Sequence, residues 1–102
     1  MEVTSTRDGT TGRVVVAGDI DSETSPALGE AMNSLLQDGV KDLNLVVDDV
    51  TFMSSAGLSV LISAHRGASR FQLQPGNRIV DRLIALTGLS MLYGTEESPS
   101  NP

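Results

Sequence analysis

The chain has 102 residues, enough for one compact domain with a single core and too few for two, and with 39% hydrophobic, 20% charged and 3% aromatic residues that core must be aliphatic. Seven basic against thirteen acidic residues give a formal charge of −6, which disfavours direct contact with a nucleic-acid phosphate backbone. The absence of cysteine removes disulfides, thiolate nucleophiles and zinc–thiolate clusters and suits a reducing, cytoplasmic setting, while no apolar run reaches the ~18 residues of a membrane span and the opening MEVTSTRDGTTG lacks a signal peptide's apolar segment.

Residues 3–8 (VTSTRD) and 12–20 (GRVVVAGDI) are β-rich, and Gly9 and Gly12 between them supply turn geometry, which predicts a hairpin. In DSETSPALGEAMNSLLQDG, Ser25 is a capping residue ahead of the first-turn proline Pro26. Leu28, Met32, Leu35 and Leu36 then recur at helical spacing until Gly39, predicting an amphipathic helix. KDLNLVVDDV places Leu43, Leu45 and Val47 on one face and Val46 on the other, the pattern of a central strand covered on both sides.

A second helix follows DDVTFMSSAG, with Leu58, Leu61, Ile62 and His65 on its inner face and Gly67 at its exit. RFQLQ reads as a short strand and PGN as a turn. RIVDRLIALTGL reads as a third helix, with Ile79, Val80, Leu83, Ile84 and Leu86 inward and Gly88 at its end, and SMLYG as a last strand. The domain is expected over residues 1–95, and residues 96–102 are expected to form a mobile tail because they carry almost no apolar side chains. There are no internal repeats. A hairpin followed by alternating strands and helices is the pattern of an α/β fold with a mixed, mainly parallel sheet and covering helices.

The richest stretch is DDVTFMSSAGLSVLI, where two serines and a glycine stand between a strand and a helix. With Ser54 as the cap, Ser55 is the first helical residue, and Met53 and Leu58 take the positions of a hydrophobic staple. Ser54 then spends its hydroxyl on a backbone N–H while Ser55 is free to face outward, and Gly57 leaves room for another molecule to approach the backbone. The plainer reading makes both serines capping and turn residues only.

The blocks VAGDIDSETSPALGEAM, DDVTFMSSAGLSVLI and VDRLIALTGL, in that order across roughly residues 12–93, resemble the STAS domain of bacterial anti-sigma-factor antagonists. The resemblance implies a single STAS-like domain that controls transcription by partner switching. Unphosphorylated, it would bind an anti-sigma factor that is also a serine kinase, freeing a sigma factor; phosphorylation of a serine at the helix start would end that binding, and a serine phosphatase would reset it. The family motif is commonly Asp-Ser-Ser/Thr-Gly, and the matching residues here are Ser54, Ser55, Ala56 and Gly57. Ser55 falls on the phosphoacceptor position, with Ser54 as the alternative. Ser54 stands where an aspartate is usual and Ala56 removes the second hydroxyl. Asp19, Asp21, Ser22 and Thr24 match positions that, with the four motif residues, form the partner surface; read alone they are an acidic loop that caps a helix.

No catalytic residue or cofactor is implied. A nucleophile elbow needs a glycine two places before its serine, where Met53 stands, and the only histidine, His65, lies ten residues from Ser55, ~15 Å along one helix. A phosphoacceptor receiver domain needs a lysine on a late strand, whereas the only lysine is Lys41. Asp19, Asp21, Asp48 and Asp49 are expected in separate loops and lack metal-ligand spacing, so no metal is expected. The alternative function is a STAS module acting as a scaffold or nucleotide-responsive component of another signalling complex, although PGN is too short for a phosphate loop.

Overall fold

The computed structural model describes residues 1–94. In chain order the elements are β1 (Glu2–Asp8), β2 (Thr11–Ile20), α1 (Ser25–Gln37), β3 (Asp42–Met53), α2 (Ser55–Gly67), β4 (Arg70–Leu73), α3 (Arg78–Thr87) and a closing 3₁₀ turn, Ser90–Tyr93. The expected boundary at residue 95 and the tail expected over 96–102 lie outside the described residues. The strands form one sheet in the order β1-β2-β3-β4, with β1 antiparallel to β2 and the other two pairings parallel. This is the mixed α/β architecture expected from the sequence, with β3 inside the sheet.

The hairpin turns on Gly9 and Thr10, since Asp8 still pairs with Thr11, and Gly9 has the positive φ (63°) that a two-residue hairpin loop requires. Gly12, expected in the turn, lies instead in β2. A Cβ there would come within 3.0 Å of Val40 and 3.2 Å of Leu35, so its missing side chain lets the end of α1 close onto the sheet. Ser25, expected to cap α1, is its first helical residue and is buried. The turn before it is held by Asp21, whose carbonyl accepts from the Ser25 N–H (2.8 Å).

α1 and α2 pack on one another beside the sheet, and Val14, Val16, Leu28, Met32, Leu45, Val47 and Leu61 are almost wholly excluded from water. As the composition requires, the core is aliphatic; Phe71 is the one ring among the buried residues described.

β3 is the irregular element. Leu43, Leu45 and Val47 are buried on one face and Val46 on the other, but beyond that every third residue is buried, Val50 and Met53, and the pairs Asp48–Asp49 and Thr51–Phe52 are exposed between them. The register against β2 explains the change of period. Val15 pairs with Val46 but Ala17 with Asp49, and Gly18 pairs with Val50 but Asp19 with Phe52, so β3 carries an extra residue at each of two bulges.

β4 pairs only with Asp42 to Leu45, which leaves the following edge of β3 without a strand neighbour. The buried side chain of Asn77 takes that place: its Nδ2 donates to the carbonyls of Val47 (2.7 Å) and Val50 (2.9 Å), with Asp48 a longer third contact (3.4 Å). In a regular strand, carbonyls two residues apart share an edge; the bulge brings two that are three apart to one donor. The Asn77 Oδ1 accepts from the N–H groups of Ile79 (2.9 Å) and Val80 (3.2 Å), so the same side chain caps α3.

α3 rests on β3 by a narrow stripe. Val80 and Ile84 are buried and Leu83 half-buried, but Ile79 and Leu86, expected inward, are 46% and 74% exposed. A helix anchored through its cap at the open edge of a strand buries residues four apart and leaves those flanking them in water. The strand expected at SMLYG is the 3₁₀ turn, entered after Gly88 ends α3 in the left-handed conformation. Tyr93 donates from there to Asp81 (2.6 Å), whose other oxygen accepts from the Gly76 N–H (3.0 Å), and burial together with that bond pushes the phenol pKa up to about 12.

Asn77→Ala removes a helix cap, worth ~1 kcal/mol, and leaves two buried carbonyls unpaired at ~1–3 kcal/mol each, so urea denaturation should show a loss of about 3 kcal/mol or more. Asn77→Asp keeps the cap acceptor but not the donor and should be no more stable than the alanine variant; retention of wild-type stability would show that α3 and β3 hold together without this side chain.

Candidate functional site

The parallel strands β2 and β3 finish together, Ile20 opposite Met53, and the Ser54 N–H donates to the Ile20 carbonyl (2.9 Å). This sets segment 19–24 beside the start of α2. Ser54 is extended (φ −92°, ψ 175°), and its Oγ accepts from the Gly57 N–H at 3.4 Å, so it is the cap. Ser55 is the first helical residue and is exposed. The first-turn amides of α2 have no partner within the helix, and no acidic residue stands in that turn, whereas His65 and Arg66 occupy the last turn, where positive charge suits the dipole. The end that carries Ser55 therefore favours an anion.

Gly57 plays a different part from the one expected. It is buried, and a Cβ there would lie 2.9 Å from both Ile20 Cγ2 and Met53 Cγ, so the space it leaves is filled by the protein's own side chains. Met53 and Leu58 are both buried, in keeping with the staple positions, and Ala56 is half-buried.

In the neighbouring loop, the Asp21 Oδ1 accepts from the N–H groups of Glu23 and Thr24 (both 3.0 Å). The Thr24 hydroxyl accepts from the Asp21 N–H and donates to the Asp19 carbonyl (both 2.9 Å). Bonds from the Thr24 backbone and hydroxyl, and then from the Glu23 N–H, hold the Asp21 carboxyl below its ordinary 3.8. Ser22 is exposed, and so is Asp19, whose carboxylate accepts from the Thr51 hydroxyl (2.5 Å). The side chains of Asp21 and Thr24 thus order the loop, while those of Ser22 and Asp19 face water beside Ser55's helix.

Asp48 and Asp49 lie on β3, not in a loop, and among the described residues no three acidic or histidine side chains come together as a metal site. His65 is half-buried, edge-on to Phe71 with ring centres 6.1 Å apart. A groove of about 350 Å³ between α1 and α2 is lined by Gly29, Met32, Asn33, Ser59, Val60 and Ser63 among others, with no lysine or arginine. In the PGN turn, Asn77 and the Gly76 amide are committed to α3. No described helix is long and apolar enough to cross a membrane. The exposure of Thr51 and Phe52 beside Asp19 was not foreseen, because side-chain periodicity does not reveal the bulge at Thr51.

A family profile described as "Mlab, STAS domain" matches residues 3–94. The chain is similar to the anti-sigma-B factor antagonist of Staphylococcus aureus, at 30% identity over 89 residues, covering 82% of each protein. Among solved structures it is similar to an anti-sigma factor antagonist from Mycobacterium paratuberculosis (TM-score 0.81, 26% identity, covering 95% of this chain and 88% of that one). The unphosphorylated form of the anti-sigma factor antagonist SpoIIAA shares the fold at TM-score 0.76 and 16% identity, covering 95% of this chain and 91% of that one.

The depressed Asp21 pKa has a definite sign. Its contribution to stability is complete above the unfolded-state value of about 4 and is lost as pH falls through the lower folded-state value. The melting-temperature gap between wild type and Asp21→Ala should stay constant from neutral pH to about 5 and narrow below about 4; a gap that widens in acid would contradict this. The serines should separate as well. Ser54→Ala should cost about 0.5–1 kcal/mol in the same melts, the lower part of the usual range because its bond is long, and Ser55→Ala should stay within ~0.5 kcal/mol.

Proposed function

The chain belongs to the STAS domain family, and from that premise we propose that it is an anti-sigma-factor antagonist switched by phosphorylation of Ser55. Unphosphorylated, it binds an anti-sigma factor that is also a serine kinase and so frees a sigma factor in the cytoplasm. Phosphorylated, it releases that kinase, and a serine phosphatase restores the first state. The reading draws its main support from the position of Ser55, exposed at the first turn of α2 with Ser54 taking the capping duty beside it.

Phosphoryl transfer needs a hydroxyl that can reach the terminal phosphate of ATP, with no other bond to give up. Ser55 meets that need, and Ala56 offers no competing hydroxyl. The product places roughly −1.5 to −2 charges where first-turn amides favour an anion, so the fold accommodates it. The kinase does not: Ser55 docks against a nucleotide's phosphates, and phosphoserine brings like charge and bulk to the same place. A loss of about 3 kcal/mol there weakens binding roughly a hundredfold. The partner surface in this reading is Ser54, Ser55 and Ala56, backed by Gly57, with Asp19, Asp21, Ser22 and Thr24 alongside. The protein is a binding module in this scheme, and the kinase and phosphatase supply the catalysis.

Incubation with candidate serine-kinase anti-sigma factors and ATP, followed by mass spectrometry, should map one phosphate to Ser55 and none in Ser55→Ala. The purified phosphoprotein should bind that kinase about a hundredfold more weakly than the unmodified protein. Phosphate on Ser54, or equal binding by both forms, would overturn the proposal.

A further inference from the structure

The chain contains two phenylalanines, and the fold treats them oppositely: Phe71 is buried, while Phe52 is 49% exposed. The exposure follows from the second bulge of β3. With Thr51 as the extra residue, both Thr51 and Phe52 turn outward before Met53 returns to the core. Bulges often serve to re-aim a side chain, and here two in succession display Asp48 with Asp49 and then Thr51 with Phe52.

Negative charge lies across the strand from Phe52 and behind it along β3. Its cross-strand partner is Asp19, which is exposed and held by Thr51, and Asp49 is exposed one bulge back along the strand. None of Asp19, Asp48 and Asp49 forms an ion pair among the described residues, where the one salt bridge joins Arg7 to Asp38. Ser55 lies three residues along the chain from Phe52, so their Cα atoms are at most ~11 Å apart, well inside the ~800 Å² that one side of an ordinary protein interface covers. An exposed ring with a charged rim is the arrangement of an interface anchor, which excludes water at the centre while the rim steers the approach. A second copy of the chain is a poor occupant, since a two-fold contact through this surface would bring two acidic rims together.

Resting on the reading of Ser55 above, we propose that Phe52 is the apolar anchor for the anti-sigma-factor kinase, inserting into an apolar pocket whose basic rim faces Asp19, Asp48 and Asp49. The bulged end of β3 then supplies affinity, and Ser55 supplies the switch.

The test is a binding titration against the kinase that, among the candidate anti-sigma factors, captures the unphosphorylated wild-type protein. Phe52→Ala should weaken binding by about tenfold or more, through faster dissociation and at low and high salt alike. Asp48→Asn with Asp49→Asn should slow association and flatten its salt dependence. Leu86→Ala, which trims a more exposed apolar residue on α3, should leave binding unchanged. A benzoylphenylalanine at position 52 should cross-link to the kinase and one at position 86 should not, which gives a reading even if Phe52→Ala folds poorly. Wild-type binding that Phe52→Ala does not alter, or an equal loss in Leu86→Ala, overturns the anchor and leaves the Ser55 reading standing. Failure of every candidate to bind the wild type overturns the Ser55 reading and the anchor with it.

Discussion

The Asn77 side chain holds the bulged end of β3 in shape. β4 is too short to accompany β3 past Leu45, so the last part of the central strand would present carbonyls to a partly apolar interior with nothing to bond them. Asn77 supplies both donors for that edge and spends its acceptor on the first turn of α3, joining an irregular strand to a helix through one buried amide. Any alternative register of β3 would lose these bonds at ~1–3 kcal/mol for each buried carbonyl stranded. The bulges are therefore fixed features. Because they are fixed, Asp48, Asp49, Thr51 and Phe52 are held outward while Met53 enters the core and Ser54 starts α2.

Downstream of that strand, adjacent residues divide the work. Ser54 is bound to Ile20 through its amide and to the first turn of α2 through its hydroxyl, and Gly57 is closed over by Ile20 and Met53. Ser55 rides on this packed base with its hydroxyl in water. A modification at Ser55 therefore has little of the fold to disturb, and its effect falls on whatever docks there. In the proposed complex the acidic surroundings act in the opposite sense from a phosphate: spread over strand and loop, they would attract a basic partner surface, whereas charge concentrated at Ser55 would meet the partner's nucleotide.

Periodicity exposed most of this architecture in advance. The aliphatic alternation of β2 and early β3, the helical spacing in α1 and α2, and the Ser54 cap are local patterns with a local physical cause, and they are where the structure has them. What periodicity missed depends on tertiary contacts. Gly12 and Gly57 look like turn and access glycines, yet each is set by a neighbouring side chain, Val40 and Leu35 for one, Ile20 and Met53 for the other. Ser25 lost the capping place because the Asp21 carboxylate and the Thr24 hydroxyl had already built a turn ahead of it. α3 shows the limit most clearly: its apolar residues describe a broad face, but packed on β3 it buries Val80 and Ile84 and leaves Ile79 and Leu86 exposed. SMLYG has strand-like composition, but it forms a 3₁₀ turn from which Tyr93 bonds Asp81, a contact no local pattern announces.

The serine at the cap also bears on how the switch is set. An aspartate at position 54 would satisfy the same amides with a full negative charge, and a phosphate on the next residue would then share the helix end with a like charge. With Ser54 the cap is uncharged, and the first-turn amides other than that of Gly57, which Ser54 binds, would be open to a phosphate on Ser55 in the proposed switch. Phosphorylation in the proposed switch would take the cap region from no charge on residues 54–57 to roughly −1.5 to −2. A neutral cap would thus make the phosphorylated and unphosphorylated forms of the proposed switch differ more sharply at residue 55, while the negative charge proposed to attract a partner lies on neighbouring elements, at Asp19, Asp48 and Asp49.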